Sequence, residues 1–261
     1  MCLIALAINA HPEYPFVLAA NRDEFFERPT KALHAWPDSD IIAGQDLQQG
    51  GTWLGLTKGG RFAVVTNFRG PGENQPKPKS RGHLITQYLM ASATPEHYCE
   101  HLSSSDEEYA GYNLIVGDTK TFYYHSNRRK NGAIEMTSGI HGLSNHLLNT
   151  AWPKVNDTKA ALSHALSTTH NAGATDEATL VDTLFHSLRS TKLAEKAQLP
   201  NTGSDPDQEM QLSSPFVKLD GRNYGTRCST VVLKNHTGQY CMIERSWDVS
   251  GSLIQEQKLA W

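Results

Sequence analysis

The chain has 261 residues, a length that a single β-rich or mixed domain with a sizeable core can fill. Its 24 basic and 27 acidic residues leave a net charge of -3, which argues against nucleic acid or an anionic membrane surface as a general partner. Four cysteines (Cys2, Cys99, Cys228 and Cys241) form no Cys-x-x-Cys pair, so a reducing, cytoplasmic location is expected rather than a disulfide framework.

Taken in chain order, Cys2 to Ile8 and Phe16 to Ala20 are apolar runs separated by Pro12 and Pro15, which predicts two strands joined by a turn. No basic residue precedes Arg22 and no run approaches the ~18 apolar residues that cross a bilayer, so the start is read as a buried strand, not a signal or an anchor. Asn21-Arg22-Asp23-Glu24 end the second strand; taken alone, such a polar run marks where a strand meets solvent. Gly50 to Leu56 and Arg61 to Asn67 predict a hairpin around Gly59-Gly60. Residues 71 to 80, with three prolines, predict a loop. Helices are expected from Arg81 to about Ser92, where Leu84, Ile85, Tyr88 and Leu89 repeat at i, i+4, and from Pro95 to Leu102.

Tyr112 to Val116 and Thr121 to His125 are strand-like. A helical pair follows Pro153, its faces marked by Val155, Leu162 and Leu166 and by Leu180, Leu184 and Leu188, with Asp176 and Glu177 suited to a first turn. Residues 197 to 215 predict a polar loop, and Arg227 to Lys234 with Gln239 to Trp247 a closing strand pair around Thr237-Gly238. Short turns between strands favour antiparallel sheets. Two sheets with helices covering their outer faces satisfy the order, and no repeat or composition break divides residues 1–261, read as one domain.

Cys2 carries the first chemical signal. If Met1 is removed, Cys2 holds a thiol nucleophile and a free α-amine on one residue. Such an amine, with a pKa near 7.7–8.0, acts as a base at neutral pH, the arrangement of N-terminal nucleophile enzymes. The second signal is Asn21-Arg22-Asp23-Glu24. Adjacent antiparallel strands bring the end of one beside the start of the next, so Asp23 is placed to orient the amine and Arg22 to stabilise a thiolate.

Cys2, Asn21-Arg22-Asp23-Glu24, Gly50-Gly51-Thr52-Trp53-Leu54-Gly55, Val65-Thr66-Asn67-Phe68-Arg69, Gly142-Leu143-Ser144-Asn145 and Gly225-Thr226-Arg227 together resemble the signature set of the NRDE family, the transport and Golgi organisation family. That family is similar to N-terminal nucleophile hydrolases of the cholylglycine hydrolase and penicillin V acylase type. The resemblance implies an α+β fold, a four-layer αββα sandwich. It implies Cys2 as nucleophile, Asp23 holding the amine, Asn67 and Asn145 in the oxyanion hole, and Arg227 beside the nucleophile, with Asn21, Arg22, Asp23 and Glu24 at the ligand. Read singly, Asn67 and Asn145 are residues that turns favour, and Arg227 is a surface strand residue. One position departs from the hydrolases: they carry an arginine directly before Asn-x-Asp, where this chain has Ala20.

The resemblance also implies intracellular haem trafficking, or the handling of a similar amphipathic ligand such as acyl-CoA in lipid homeostasis, with haem-acceptor proteins as partners. The alternative is a cysteine hydrolase that cleaves a non-peptide amide or thioester. No Cys-x-x-Cys-His or Cys-Pro sequence is present, so haem is expected as reversible cargo. No metal site is expected: His97, Cys99 and His101 fall on a helix with Cys99 facing away, which reads as an exposed polar face. The glycines at 50, 51 and 55 lack the Gly-Lys-Ser/Thr of a phosphate-binding loop.

Overall fold

The computed structural model describes residues 2–73, 75, 77–171, 177–219 and 221–261. In chain order its elements are β1 (Cys2–Ile8), β2 (Phe16–Phe25), β3 (Thr30–Ala35), β4 (Ile41–Asp46), β5 (Leu54–Thr57), β6 (Phe62–Asn67), α1 (Gly82–Met90) and α2 (Pro95–Leu102). There follow β7 (Tyr112–Gly117), β8 (Phe122–Ser126), β9 (Ile134–Glu135), β10 (Gly139–Leu143), α3 (Pro153–Asn171), α4 (Glu177–Leu188), α5 (Pro206–Gln211), β11 (Tyr224–Lys234), β12 (Tyr240–Trp247) and β13 (Leu253–Ala260). Contacts group these into two units. One takes Met1–Glu27, Ser138–Ser144 and Asn149–Trp261; the other takes Arg28–Thr137 and Asn145–Leu148.

The first unit holds a six-stranded antiparallel sheet in the order β10-β1-β2-β11-β12-β13. Alternate residues of a strand face opposite sides. Ala5, Ala7, Val17, Ala19 and Val231 turn to one face, where Leu162, Leu166, Leu180, Leu184 and Leu188 of α3 and α4 cover them. The small side chains at 5, 7 and 19 let the helices lie close to the sheet. The turn between β1 and β2 closes with Asn9 N donating to Pro15 O at 2.7 Å, Asn9 taking the positive φ of 48° that asparagine tolerates.

The second unit is a seven-stranded antiparallel sheet in chain order, β3 to β9. Leu84, Ile85, Tyr88 and Leu89 of α1 pack with Tyr98, Cys99 and Leu102 of α2 on Ala43, Ala63, Val65 and Leu114 of that sheet. His97 is exposed on α2 while Cys99 is buried, so the two stand on different faces of the helix. No helix among the described residues is long and apolar enough to cross a membrane.

The expected hairpin around Gly59-Gly60, both early helices, the helical pair after Pro153 and the closing strand pair are all present. Asp176 lies outside the described residues, as do 74 and 76 of the loop at 71 to 80; Glu177 sits in the first turn of α4. Two expectations are corrected. The region 197 to 215 is not all loop: Asp205 caps α5, its carboxylate accepting from the backbone N–H groups of Asp207 and Gln208. The polar run 21–24 does not meet solvent at once either, because β2 continues to Phe25 with Asn21, Arg22 and Asp23 buried.

Asn21 shows how a polar side chain is tolerated there. Its amide donates to Leu188 O at the end of α4 (2.8 Å) and to Pro215 O (2.9 Å), and its carbonyl accepts from Ser229 Oγ (2.6 Å). Trp247 Nε1 completes the chain by donating to Ser229 Oγ at 3.0 Å. Asn21 therefore ties β2, α4, β11 and β12 together. Asn21→Ala leaves two buried carbonyls without their donor and should lower the unfolding free energy by about 2–4 kcal/mol. Urea denaturation measures this; a loss below about 0.5 kcal/mol would place Asn21 among ordinary surface substitutions.

Candidate functional site

Register decides which residues meet. Across β1, β2 and β11, Cys2 stands opposite Arg22, and Arg22 opposite Cys228. Directly opposed residues share a face, so Cys2, Arg22 and Cys228 form one row on the face away from α3 and α4. A β-bulge between Thr226 and Cys228 leaves Arg227 as the extra residue. Its guanidinium donates from Nη1 to Phe25 O (3.1 Å) and lies over the Phe26 ring at 5.5 Å. Burial, then the charge of Arg22, lowers the pKa of Arg227, so the two guanidiniums feel each other. Glu24 answers part of that charge, 3.8 Å from Arg22 Nη2.

Asp23 lies one register position beyond the Cys2–Arg22 pair, towards the amino end of β1, and opposite Thr226. Thr226 Oγ1 donates to Asp23 Oδ1 at 2.7 Å and itself accepts from Val217 N at 2.9 Å. The Tyr224 hydroxyl donates to Asp23 O at 3.1 Å. Gly225 is required by this packing: a Cβ there would meet Val217 O at 2.6 Å. Burial raises the Asp23 carboxyl pKa, and the nearby charge of Lys154 and the Thr226 hydrogen bond only partly oppose it. Lys154 is itself buried and donates to Leu212 O at 2.8 Å.

Cys2, at the start of β1, is half-buried, and its carbonyl accepts from Ser144 Oγ at 3.0 Å. Burial raises the thiol pKa, the charge of the terminal amino group opposes it most, and the carboxylates of Asp23 and Glu24 add to the rise against the smaller opposing charge of Arg22. The thiol is therefore held protonated at neutral pH. Cys228, further along the same row, is pushed well up by burial and by Glu244.

The second unit holds the two asparagines. Asn67 ends β6 opposite Tyr112, and Asn145 is fully buried. Asn145 Nδ2 donates to Asn67 O at 2.9 Å, and Asn145 O accepts from Arg69 N at 2.7 Å. The structure thus gathers Cys2, Arg22, Asp23 and Arg227 in one unit, and Asn67 with Asn145 in the other. The side chain of Asn21 serves internal hydrogen bonds. Sequence reasoning missed Thr226, Ser144 and Lys154. The first two lay inside quoted motifs, in which only Arg227 and Asn145 were given roles.

The description "Transport and Golgi organisation 2" belongs to a family model that matches residues 1–249. The chain is 33% identical over 264 residues to the Transport and Golgi organization protein 2 homolog of Homo sapiens, covering 94% of this chain and 93% of that protein. It is 27% identical to Transport and Golgi organization protein 2 of Drosophila melanogaster, covering 94% and 92%. Among solved structures, the R18L variant of conjugated bile acid hydrolase from Clostridium perfringens is similar with a TM-score of 0.54 at 8% identity, over 99% of this chain and 92% of that one. The C2A mutant of the same hydrolase gives 0.52 at 8% identity, over 98% and 92%. At such identity the likeness speaks for the fold alone, the α+β αββα class of N-terminal nucleophile hydrolases expected from the motifs. The chain belongs to the transport and Golgi organisation 2 family.

Proposed function

We propose that this chain binds an amphipathic ligand with an anionic end, haem or a similar molecule such as acyl-CoA, in the Cys2 region, and passes it to acceptor proteins in the cytoplasm. The observation that supports this reading is the pair of neighbouring guanidiniums, Arg22 and Arg227, beside a thiol that burial keeps protonated. Two like charges held together gain from an anion placed between them, and a haem propionate or a CoA phosphate is such an anion. Haem is cargo in this account, not a resident group. A protonated thiol is a poor nucleophile, and Ala20 occupies the position of the hydrolases' extra arginine, so hydrolysis is expected to be weak.

A second reading draws on Asp23 and Ser144. Thr226 fixes Asp23 beside the amino end of β1, and Ser144 fixes the Cys2 carbonyl, as an N-terminal nucleophile needs. In a cysteine hydrolase, Cys2 would attack an amide or thioester carbonyl and its amine would carry the proton.

Haem titration followed by absorbance should saturate at a fixed stoichiometry, and the bound haem should move to an apo-acceptor. Arg22→Ala and Arg227→Ala should each weaken binding about tenfold or more. Spectra that never saturate, or that both variants leave unchanged, would count against the carrier reading.

Alkylation of Cys2 with iodoacetamide, assigned by peptide mass mapping, should rise with pH about a midpoint above the ordinary cysteine value of ~8.5. A midpoint below that value would mean an activated thiolate and would favour the hydrolase. Protein beginning at Cys2 should show little turnover of acyl amides, lactams or acyl-CoA thioesters. Robust turnover that Cys2→Ala abolishes would make the hydrolase reading the leading one.

A further inference from the structure

β13 closes one edge of the six-stranded sheet, and among the described residues it pairs on one side only, with β12. Natural edges are blunted by proline, by a covering helix, by short length or by charged side chains, and the only charges on this strand, Glu256 and Lys258, are of opposite sign. This strand has eight residues and no proline, and all but Leu259 are exposed, on both faces. Leu253 and Ile254 are 52% and 62% exposed.

The hydrogen-bond pattern fixes which backbone groups face outward. Tyr240 and Trp261 exchange both bonds, N to O at 2.9 Å and 3.0 Å. By antiparallel alternation, Leu259 and Gln257 also bond to β12, so Glu256, Lys258 and Ala260 direct their N–H and C=O groups to the open edge. A partner strand must therefore place bonded pairs on those residues.

We propose that β13 pairs antiparallel with β13 of a second copy of this chain, about a two-fold axis through Gln257. In that register Glu256 stands opposite the second copy's Lys258, and Lys258 opposite its Glu256. Both are outward-bonding residues, so backbone pairing and charge pairing agree. A shift of one residue would place outward-bonding residues opposite inward-bonding ones and lose the charge match. Glu256 already meets Arg245 at 2.6 Å and Lys258 meets Glu177 at 3.3 Å on the same face. The second copy extends that alternation of sign across the junction. The isologous geometry is closed, so it gives a dimer and not a fibre.

The test is sedimentation of the full chain over a concentration series, with circular dichroism to verify folding. The wild-type chain should run at twice the monomer mass. Glu256→Lys places Lys opposite Lys, and Lys258→Glu places Glu opposite Glu; each should be monomeric alone. Mixed in equal amounts, they should recover the dimer, because each supplies the charge the other needs. Gln257→Cys should form an intermolecular disulfide on oxidation, since the axis pair is non-hydrogen-bonded with Cα atoms about 4.5 Å apart. Gln255→Cys, which faces Leu259, should not. A monomeric wild type, dimers that neither charge reversal weakens, or equal crosslinking at 255 and 257 would overturn the proposal.

Discussion

The pairing register of β1 with β2 is the constraint on which the rest depends. Side chains in a sheet alternate with period two, so a slip of one residue would exchange the faces. The helix-covered face accepts Ala5, Ala7, Val17 and Ala19, small or branched residues that α3 and α4 pack upon. The opposite face then receives Cys2, and β2 must present Arg22 to it. Asn21 reinforces the choice, because only this register lets its amide reach Leu188 O and Pro215 O. Core packing thus sets which charge the thiol meets.

With that geometry fixed, two opposed effects compete at Cys2. The terminal amino group and, less strongly, the Arg22 guanidinium favour a thiolate; burial and two carboxylates favour the thiol. Burial is the largest influence and the thiol wins. The same balance keeps the Asp23 carboxyl above its usual range despite Thr226 and Lys154. A site built for rapid nucleophilic attack would have the reverse outcome at the thiol. This ordering supports the proposed carrier reading, and the hydrolase-type fold is compatible with it because fold does not dictate chemistry.

Much of this architecture was legible in the chain. Strands buried on both faces appeared as continuous apolar runs, and α1 and α4 as i, i+4 repeats. β13 was not legible, because a strand exposed on both faces carries no apolar alternation; Leu253 to Ala260 reads as polar surface. β10 was hidden by Gly139 and Gly142, which lower strand propensity, though Gly142 lets α3 approach: a Cβ there would meet Val155 Cγ1 at 2.6 Å. The Asp205-Pro206 start of α5 carried a capping signal, but it sat in a polar stretch. At the site, the family resemblance pointed to Cys2, Asp23 and Arg227, which the structure places in one unit. The burial of Asn21 to Asp23 was not legible, because their partners lie far away in sequence, 167 and 194 residues for Asn21 and 203 for Asp23.

The central claim is that Arg22 and Arg227 receive the anionic end of an intact ligand beside a protonated Cys2. The most direct measurement is a crystal structure of the haem-loaded protein, with the iron located by anomalous scattering at its absorption edge. The account predicts an iron peak in the Cys2 region, with propionate oxygens within hydrogen-bonding distance of both guanidiniums and the Cys2 sulfur unmodified. Iron bound elsewhere, with Arg22 and Arg227 turned from the ligand, would contradict it.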